Sequence, residues 1–274
     1  MTPSIPKASP PAAAAGSVSI GADLTVHRLG FGAMRLTGAG VWGAPADRPA
    51  AVAVLRRALE LGVNFIDTAD SYGPDVSEEI IAEALHPYPP GLVIATKGGL
   101  TRPRAGQWER DAHPAHLRAA CEGSLRRLRL DRIDLYQLHA IDPRVPLAES
   151  LGELARLQAE GKIRHIGVSN QSLAELKCSQ ALVSVVSVQN RYNLADRDAE
   201  DVLNYCEQQG LAFIPWFPLG AGRDAAQAQS AIAWLLARSP VVLPIPGTSS
   251  VKHLEENVAA ASLHLTAAAL RALG

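Results

Sequence analysis

Across 274 residues the chain has only three cysteines, two methionines and 5% aromatic residues, and its charges nearly cancel, to a net −1. Each shortage excludes something. Cys121, Cys178 and Cys206 lie far apart on helical segments, with neither metal-ligand spacing nor an even framework. A disulfide scaffold or a metal centre is therefore not expected, and a reducing cytoplasmic setting is the default. Near-neutral charge without a basic stripe argues against a nucleic-acid partner, and the basic run "SLRRLRLDR" reads as the solvated face of one helix. No run of 18 apolar residues occurs, so no transmembrane helix and no membrane partner is expected. The opening "MTPSIPKASPPAAAAGS" lacks an apolar stretch flanked by charge. Residues 1–16 are expected to be a disordered tail rather than a signal peptide.

What is present is a chain 47% apolar and long enough for one large α/β barrel or two small domains. "SVSIG" and "LTVHRLG" flank Gly21-Ala22-Asp23 and read as a small hairpin. From there, short apolar runs alternate with amphipathic segments of a dozen residues or more, the pattern of βαβ units on a parallel sheet. Strands are expected near 29–34, 63–66, 92–96, 133–138, 163–168, 183–188, 211–215 and 241–245. Helices are expected to begin near Asp47, Val76, His113, Pro146, Ser172, Asp198, Ala225 and Val251. Asp47 ahead of Pro49 suits a helix start; Gly62, Gly161 and Gly210 suit helix ends. Eight such units in one chain imply a (β/α)8 TIM barrel with an N-terminal β-hairpin, a single domain over residues 17–274. A doubly wound open sheet is the alternative, but "GFGAMRLTGAGVWG" has glycines without the prompt helix that a nucleotide-binding turn needs.

The ends of those strands carry the chemistry. They bear Met34 and Arg35, Asp67 with Tyr72, Lys97, His139, Ser169 and Asn170, Gln189 and Asn190, Trp216 and Phe217, and Gly247, Thr248 and Ser249. Each has a bland explanation alone, as helix cap, turn residue or surface lysine. In a barrel, however, all these positions converge on one mouth, where barrels keep their active sites. Tyrosine titrates near about 10 and donates a proton poorly at neutral pH unless a cation favours the phenolate. Lys97 can supply that cation, Asp67 can hold Lys97 charged, and a histidine on the next strand can steer a carbonyl toward Tyr72. This makes a proton donor and an oxyanion site for carbonyl reduction. Nothing in the set supplies electrons, so a hydride must come from a bound cofactor.

With these residues in view, the chain resembles the aldo-keto reductases, most closely their bacterial pyridoxal reductase-like members. Asp67, Tyr72, Lys97 and His139 match the family's tetrad in order and spacing. "DTADSYG", "ATKGG", "SLRRLRLDRIDLYQLH", "GKIRHIGVSN", "VSVQNRYNL" and "IPGTSSVKHLEEN" are similar to family motifs, and the likeness runs from about Val18 to Leu263. The resemblance implies Tyr72 as general acid, with Lys97 lowering its pKa, Asp67 pairing with Lys97 and His139 orienting the carbonyl. It also implies NADPH, or NADH, lying across the mouth. Ser169, Asn170 and Gln189 would hold the carboxamide, and Trp216 would stack on the nicotinamide. Met34 and Arg35 would lie beside the cofactor, and Phe217, Pro218, Leu219 and Gly220 would follow the pyrophosphate. Gly247, Thr248, Ser249 and His253 would approach the 2′-phosphate, and Glu256 and Asn257 the adenine.

Two departures stand out. Many relatives carry a lysine at the Gly247 position and an arginine at the His253 position, whereas here Lys252 and His253 are the nearby bases. Relatives also carry a longer loop where this chain has only "RDAAQAQS" before "AIAWLLARSP". The segments "MRLTGAGVWGAPADR" and "SYGPDVSEEIIAEALHPY" resemble the pyridoxal reductases and suggest an aromatic aldehyde such as pyridoxal as substrate. Trp42 and Trp108 are the candidate walls of its pocket. A monomer or weak homo-oligomer is expected. Two rivals stay open: a cofactor-binding redox-sensing or regulatory subunit with little turnover, as in potassium-channel β subunits, and a barrel aldolase or isomerase using Lys97 as a Schiff base.

Overall fold

Val18, Ile20, Leu24 and Val26 alternate with polar residues on either side of a turn at Gly21, where φ is +65°. They pair as an antiparallel hairpin, β1 (Ser17–Ile20) and β2 (Leu24–His27). The computed structural model describes residues 10–220 and 224–273. Beyond the hairpin, β3 (Phe31–Gly32), β4 (Phe65–Asp67) and β5 (Val93–Gly98) lie parallel. A side hairpin follows, β6 (Leu100–Thr101) with β7 (Glu109–Arg110). The parallel sheet continues through β8 (Ile133–Leu138), β9 (Ile163–Ser169), β10 (Val185–Gln189) and β11 (Ala212–Phe213).

The eighth segment, 241–245, forms no regular ladder, because Pro240, Pro244 and Pro246 have no N–H to give. Single rungs close the barrel instead. Phe213 N donates to Val241 O (2.9 Å), Leu243 N to Phe213 O (2.8 Å) and, across the seam, Gly30 N to Pro244 O (2.9 Å). With its outer helices the molecule is a (β/α)8 barrel. These are α1 (Arg48–Glu60), α2 (Val76–Leu85), α3 (Pro114–Leu128), α4 (Leu147–Ala159), α5 (Leu173–Leu182), α6 (Glu200–Gln209), α7 (Ala225–Arg238), α8 (Val251–Ala259) and the short α9 (Ala267–Leu273).

Local rules set the boundaries. The Asp47 side chain accepts from Ala50 N and starts α1; Ser172 and Glu175 form a reciprocal capping box on α5; Gly210 in the left-handed region ends α6. Two expectations need correction. Residues 1–9 of the expected tail lie outside the described residues, but Pro11–Ala15 is a 3-10 helix rather than tail. Its Ala12 is buried and donates its backbone N–H to Leu61 O at 2.9 Å, so burial of small side chains orders it. The first strand is also shorter than 29–34, because residues 33–36 turn into a 3-10 helix at the mouth.

The hairpin plugs the lower end of the barrel. Val18, Ile20, Leu24 and Val26 pack with Phe65, Val93, Leu135, Ala212, Leu243 and Ile245 as one buried cluster. Asp23 reaches Arg164 Nη2 (2.5 Å) and His165 Nε2 (2.6 Å), near the start of β9. With that end sealed, the opposite mouth is where a ligand can enter. Among the described residues no helix is long and apolar enough to cross a membrane.

Candidate active site

Side chains alternate along a strand, so residues two apart share a face. Gln137 and His139 therefore leave β8 on one side, and the register sets Lys97 beside Gln137 and Gln137 beside Gly167. A Cβ on Gly167 would come within 2.9 Å of Gln137 Cγ and 2.4 Å of Ser187 Oγ; the glycine leaves space for a polar layer inside the barrel. Asp67, the last residue of β4, lies at the centre of that layer. Its Oδ2 accepts from Lys97 Nζ at 2.7 Å, and its Oδ1 accepts from Gln189 Nε2 (2.8 Å) and Gln137 Nε2 (3.2 Å). Lys97 is fully buried and donates a second bond to Thr68 O at 2.7 Å.

Tyr72 stands on the turn after β4. This turn is held by Tyr72 N to Ala69 O (3.2 Å), Ser77 N to Tyr72 O (3.1 Å), and Gly43 N to Gly73 O (2.7 Å). Gly73, at φ +104°, and Asp75, at φ +70°, let the chain double back into α2. The Lys97 ammonium lies 5.2 Å from the Tyr72 ring centroid, and the His139 ring is edge-on to Tyr72 at 5.9 Å. Four side chains drawn from residues 67 to 139 thus meet in one place.

Their electrostatics divide the labour. Burial works against the Lys97 charge, but Asp67 and Tyr72 beside it overcome that, and its pKa is raised. Burial, with Lys97 adding to it, holds His139 well below its ordinary value, so the imidazole is neutral and can donate one N–H. Ser71 Oγ lies 3.5 Å from its Nδ1. Tyr72 differs from the sequence expectation. Lys97 does pull the phenol's pKa down, but burial is larger and the net shift is upward. The phenol therefore keeps its proton through neutral pH.

A cavity of about 550 Å³ opens over this cluster, and Asp67, Tyr72 and His139 line it. Lys97 sits behind them and does not. Of the expected cofactor residues, Met34, Arg35, Ser169, Asn170, Gln189, Trp216, Phe217, Pro218, Leu219, Gly220 and Gly247 also line it, so the cavity runs as a trough from the tetrad to the seam between the first and eighth strands. Thr248, Ser249, His253, Glu256 and Asn257 lie just beyond, on the loop before α8 and on α8 itself. Thr248 and Asn257 are buried, whereas Ser249 and His253 are exposed, and Glu256 faces Lys252 at 3.8 Å.

The trough has the features a dinucleotide needs. Asn170, at φ +57°, accepts from the Trp216 indole N–H (2.9 Å), which fixes the plane of that ring on the cavity wall. Asn170 Nδ2 donates to His139 O (3.0 Å) and Ser169 Oγ (3.0 Å), tying the ring support to the tetrad. At the far end the backbones come too close for any side chain: a Cβ on Gly247 would lie 2.4 Å from Gly32 O, and one on Gly32 2.6 Å from Ile245 O. At the start of α8 Ser250 N donates to Thr248 Oγ1 at 3.1 Å and His253 N to Ser250 Oγ at 3.4 Å, while the other first-turn N–H groups have no intrahelical acceptor and favour anions.

Trp108 and Trp42, the two candidate substrate walls, part company. Trp108 lines the cavity, 40% exposed, with its ring edge-on to Tyr72 at 6.4 Å; Trp42 does not line it. Arg102 carries no motif and escapes a motif-based reading. Gln137 lies within the motif "SLRRLRLDRIDLYQLH" but is not among the expected site residues; its two-residue spacing to His139 is the signal that could have found it.

Residues 28–226 and 223–273 match the model of the Aldo/keto reductase family, in two pieces that meet at the shortened loop. The chain is 50% identical to an uncharacterised oxidoreductase of Schizosaccharomyces pombe over 270 residues, covering 93% of this chain and 88% of that one. It is 43% identical to pyridoxine 4-dehydrogenase of Escherichia coli over 269 residues, covering 91% and 94%. Its fold is similar to that of a glycerol dehydrogenase from Gluconobacter oxydans, with a TM-score of 0.83 and 28% identity over 94% of each chain. It is also similar to an aldo-keto reductase from Klebsiella pneumoniae solved with NADP and acetate, with a TM-score of 0.80 and 30% identity over 94% of this chain and 93% of that one.

Proposed function

The chain belongs to the aldo/keto reductase family, an NAD(P)H-dependent oxidoreductase class, and from this premise we propose that it reduces an aldehyde or ketone to an alcohol with NADPH, Tyr72 giving the proton. The observation that carries the reading is the buried Lys97–Asp67 pair set behind a protonated Tyr72 at the floor of a trough of about 550 Å³.

When bound, the nicotinamide supplies the hydride to the carbonyl carbon. Everything else falls to the chain. His139, neutral, donates an N–H to the carbonyl oxygen and turns it toward Tyr72. As negative charge builds on that oxygen, the Tyr72 hydroxyl donates its proton, and Lys97 stabilises the phenolate left behind. Asp67, held by two glutamine amides as well as by Lys97, keeps that ammonium charged and in place. Trp216, braced by Asn170, would offer a flat face to a bound nicotinamide, and Ser169 and Gln189, on the same cavity wall, would hold its carboxamide. The backbone of Phe217, Pro218, Leu219 and Gly220 and the start of α8 suit the phosphates. Residues 17–274 would act as one domain in this reaction.

The substrate is an aromatic aldehyde of the pyridoxal type. Support comes from the E. coli relative, named for pyridoxine, and from the Trp108 ring beside Tyr72. The test is NADPH and NADH consumption over a panel of aldehydes that includes pyridoxal, with Tyr72→Phe alongside. Turnover should fall by about three orders of magnitude in that variant while NADPH affinity stays within about twofold, because only the proton donor is lost. Loss of NADPH affinity in Tyr72→Phe would show that the role given to Tyr72 is wrong. A single oxidation of bound NADPH without further turnover would favour a sensing subunit instead.

A further inference from the structure

Among the described residues, Arg102 is a buried arginine with no carboxylate partner. Its guanidinium is instead spent on backbone carbonyls from three separate segments: Gln107 O at 3.0 Å, Val41 O at 2.8 Å and Gly40 O at 3.0 Å, with Ser71 O at 3.5 Å. Those segments are the side hairpin, the loop after the first strand and the turn that carries Tyr72. The hairpin register explains the placement. Leu100 pairs with Arg110 and Thr101 with Glu109, so the next rung sets Arg102 across from Trp108. There the guanidinium carbon lies 3.7 Å over the centre of the Trp108 ring, against 5.7 Å for Trp42.

Trp108 is one of the few large apolar side chains left exposed, and it stands on the cavity wall. An indole so exposed would swing between rotamers, since water gives it no fixed orientation. A planar cation stacked at 3.7 Å removes that freedom and, being bonded to Ser71 O, refers the ring to the same turn that holds Tyr72. Trp42, farther off and outside the cavity, serves as backing for the guanidinium.

We infer that Arg102 is the positioning residue for substrate selection: by clamping Trp108 edge-on to Tyr72 it forms a rigid flat wall that favours planar aromatic aldehydes over aliphatic ones. The inference rests on the reading of this cavity as a carbonyl-reduction site. A rigid wall acts before chemistry, so its effect belongs in KM. An aromatic ring gains stacking contact on it, and a flexible chain gains little.

The experiment measures kcat and KM for pyridine-4-carbaldehyde and for butanal, with NADPH affinity measured by fluorescence titration. The proteins are the wild type, Arg102→Met, Arg102→Lys, Trp108→Ala and the Arg102→Met/Trp108→Ala double variant. Arg102→Met should raise KM for the aromatic aldehyde about tenfold, while butanal and NADPH stay within about twofold. Arg102→Lys should recover part of the loss. For the aromatic aldehyde, Trp108→Ala should raise KM about as much as Arg102→Met, and the double variant should raise it no more than either single one, because both break the same contact. Equal losses for both aldehydes, a loss of NADPH affinity, or additive losses in the double variant would overturn the inference. Trp108→Ala carries it alone if Arg102→Met does not fold: an unchanged aromatic KM there would also overturn it. Wild-type protein that oxidises NADPH with neither aldehyde would remove the reductase reading itself and this inference with it.

Discussion

Lys97 is fully buried away from bulk solvent, and its ammonium stays charged only because Asp67 and the Thr68 carbonyl accept its hydrogen bonds at 2.7 Å. The balance around Tyr72 is different: burial outweighs the attraction of Lys97, so the phenol is a reluctant acid in the open site. These directions fix the pH response. His139 gains a proton only well below its ordinary value of about 6.5, and Tyr72 loses its own only above about 10. Between those limits neither group changes state. For aldehyde reduction, kcat/KM should be flat from about pH 7 to 9 and fall only on the alkaline side, as the phenol deprotonates. Initial rates in overlapping buffers check this, and a decline that begins at neutral pH would mean that Lys97 outweighs burial.

Among the elements, the seam between the first strand and segment 241–245 matters most. The three prolines there prevent a ladder, and among the described residues the gap is closed by one backbone bond, Gly30 N to Pro244 O, and by direct contact of the Gly32 and Gly247 backbones. The same contact shapes the end of the trough and aims the start of α8 at it. Gly247→Ala would force its new methyl against Gly32 O, which has no flexible side chain to move aside. The variant should be destabilised by about 1–3 kcal/mol, read in urea unfolding, with NADPH affinity reduced as well. Unaltered stability would mean that the seam can open without cost.

Taken whole, the molecule assigns stability to one end and chemistry to the other. Ile20 is fully buried within the hairpin plug, in a cluster with Phe65, Val93, Leu135 and Ala212 from the strands. Ile20→Ala should cost about 2–5 kcal/mol in unfolding free energy and leave kcat for aldehyde reduction within about twofold, because no part of the plug reaches the mouth. A parallel loss of activity, seen by assaying the folded variant well below its unfolding midpoint, would show that the two ends are coupled.

Much of this was written in the chain itself. A parallel strand buried on both sides carries its charged and strongly polar residues mostly at its ends, so Asp67, Lys97, His139 and Gln189 marked the mouth in the sequence alone. Helix caps at Asp47 and Ser172 and the hairpin turn at Gly21 are local events, and local sequence decides them. Other features depended on distant partners. The tail's Ala12 became ordered because Leu61 offered it a carbonyl and a burial site, and the last strand lost its ladder to prolines whose effect depends on the neighbours they face. Burial overturned the sign expected for Tyr72, since desolvation is set by all that surrounds a group. Arg102 found Trp108 through a hairpin register and found its carbonyls on loops some thirty and sixty positions away. Periodicity and caps act within a few residues and are legible in one dimension; solvation, packing and long-range register exist only once the chain has closed on itself.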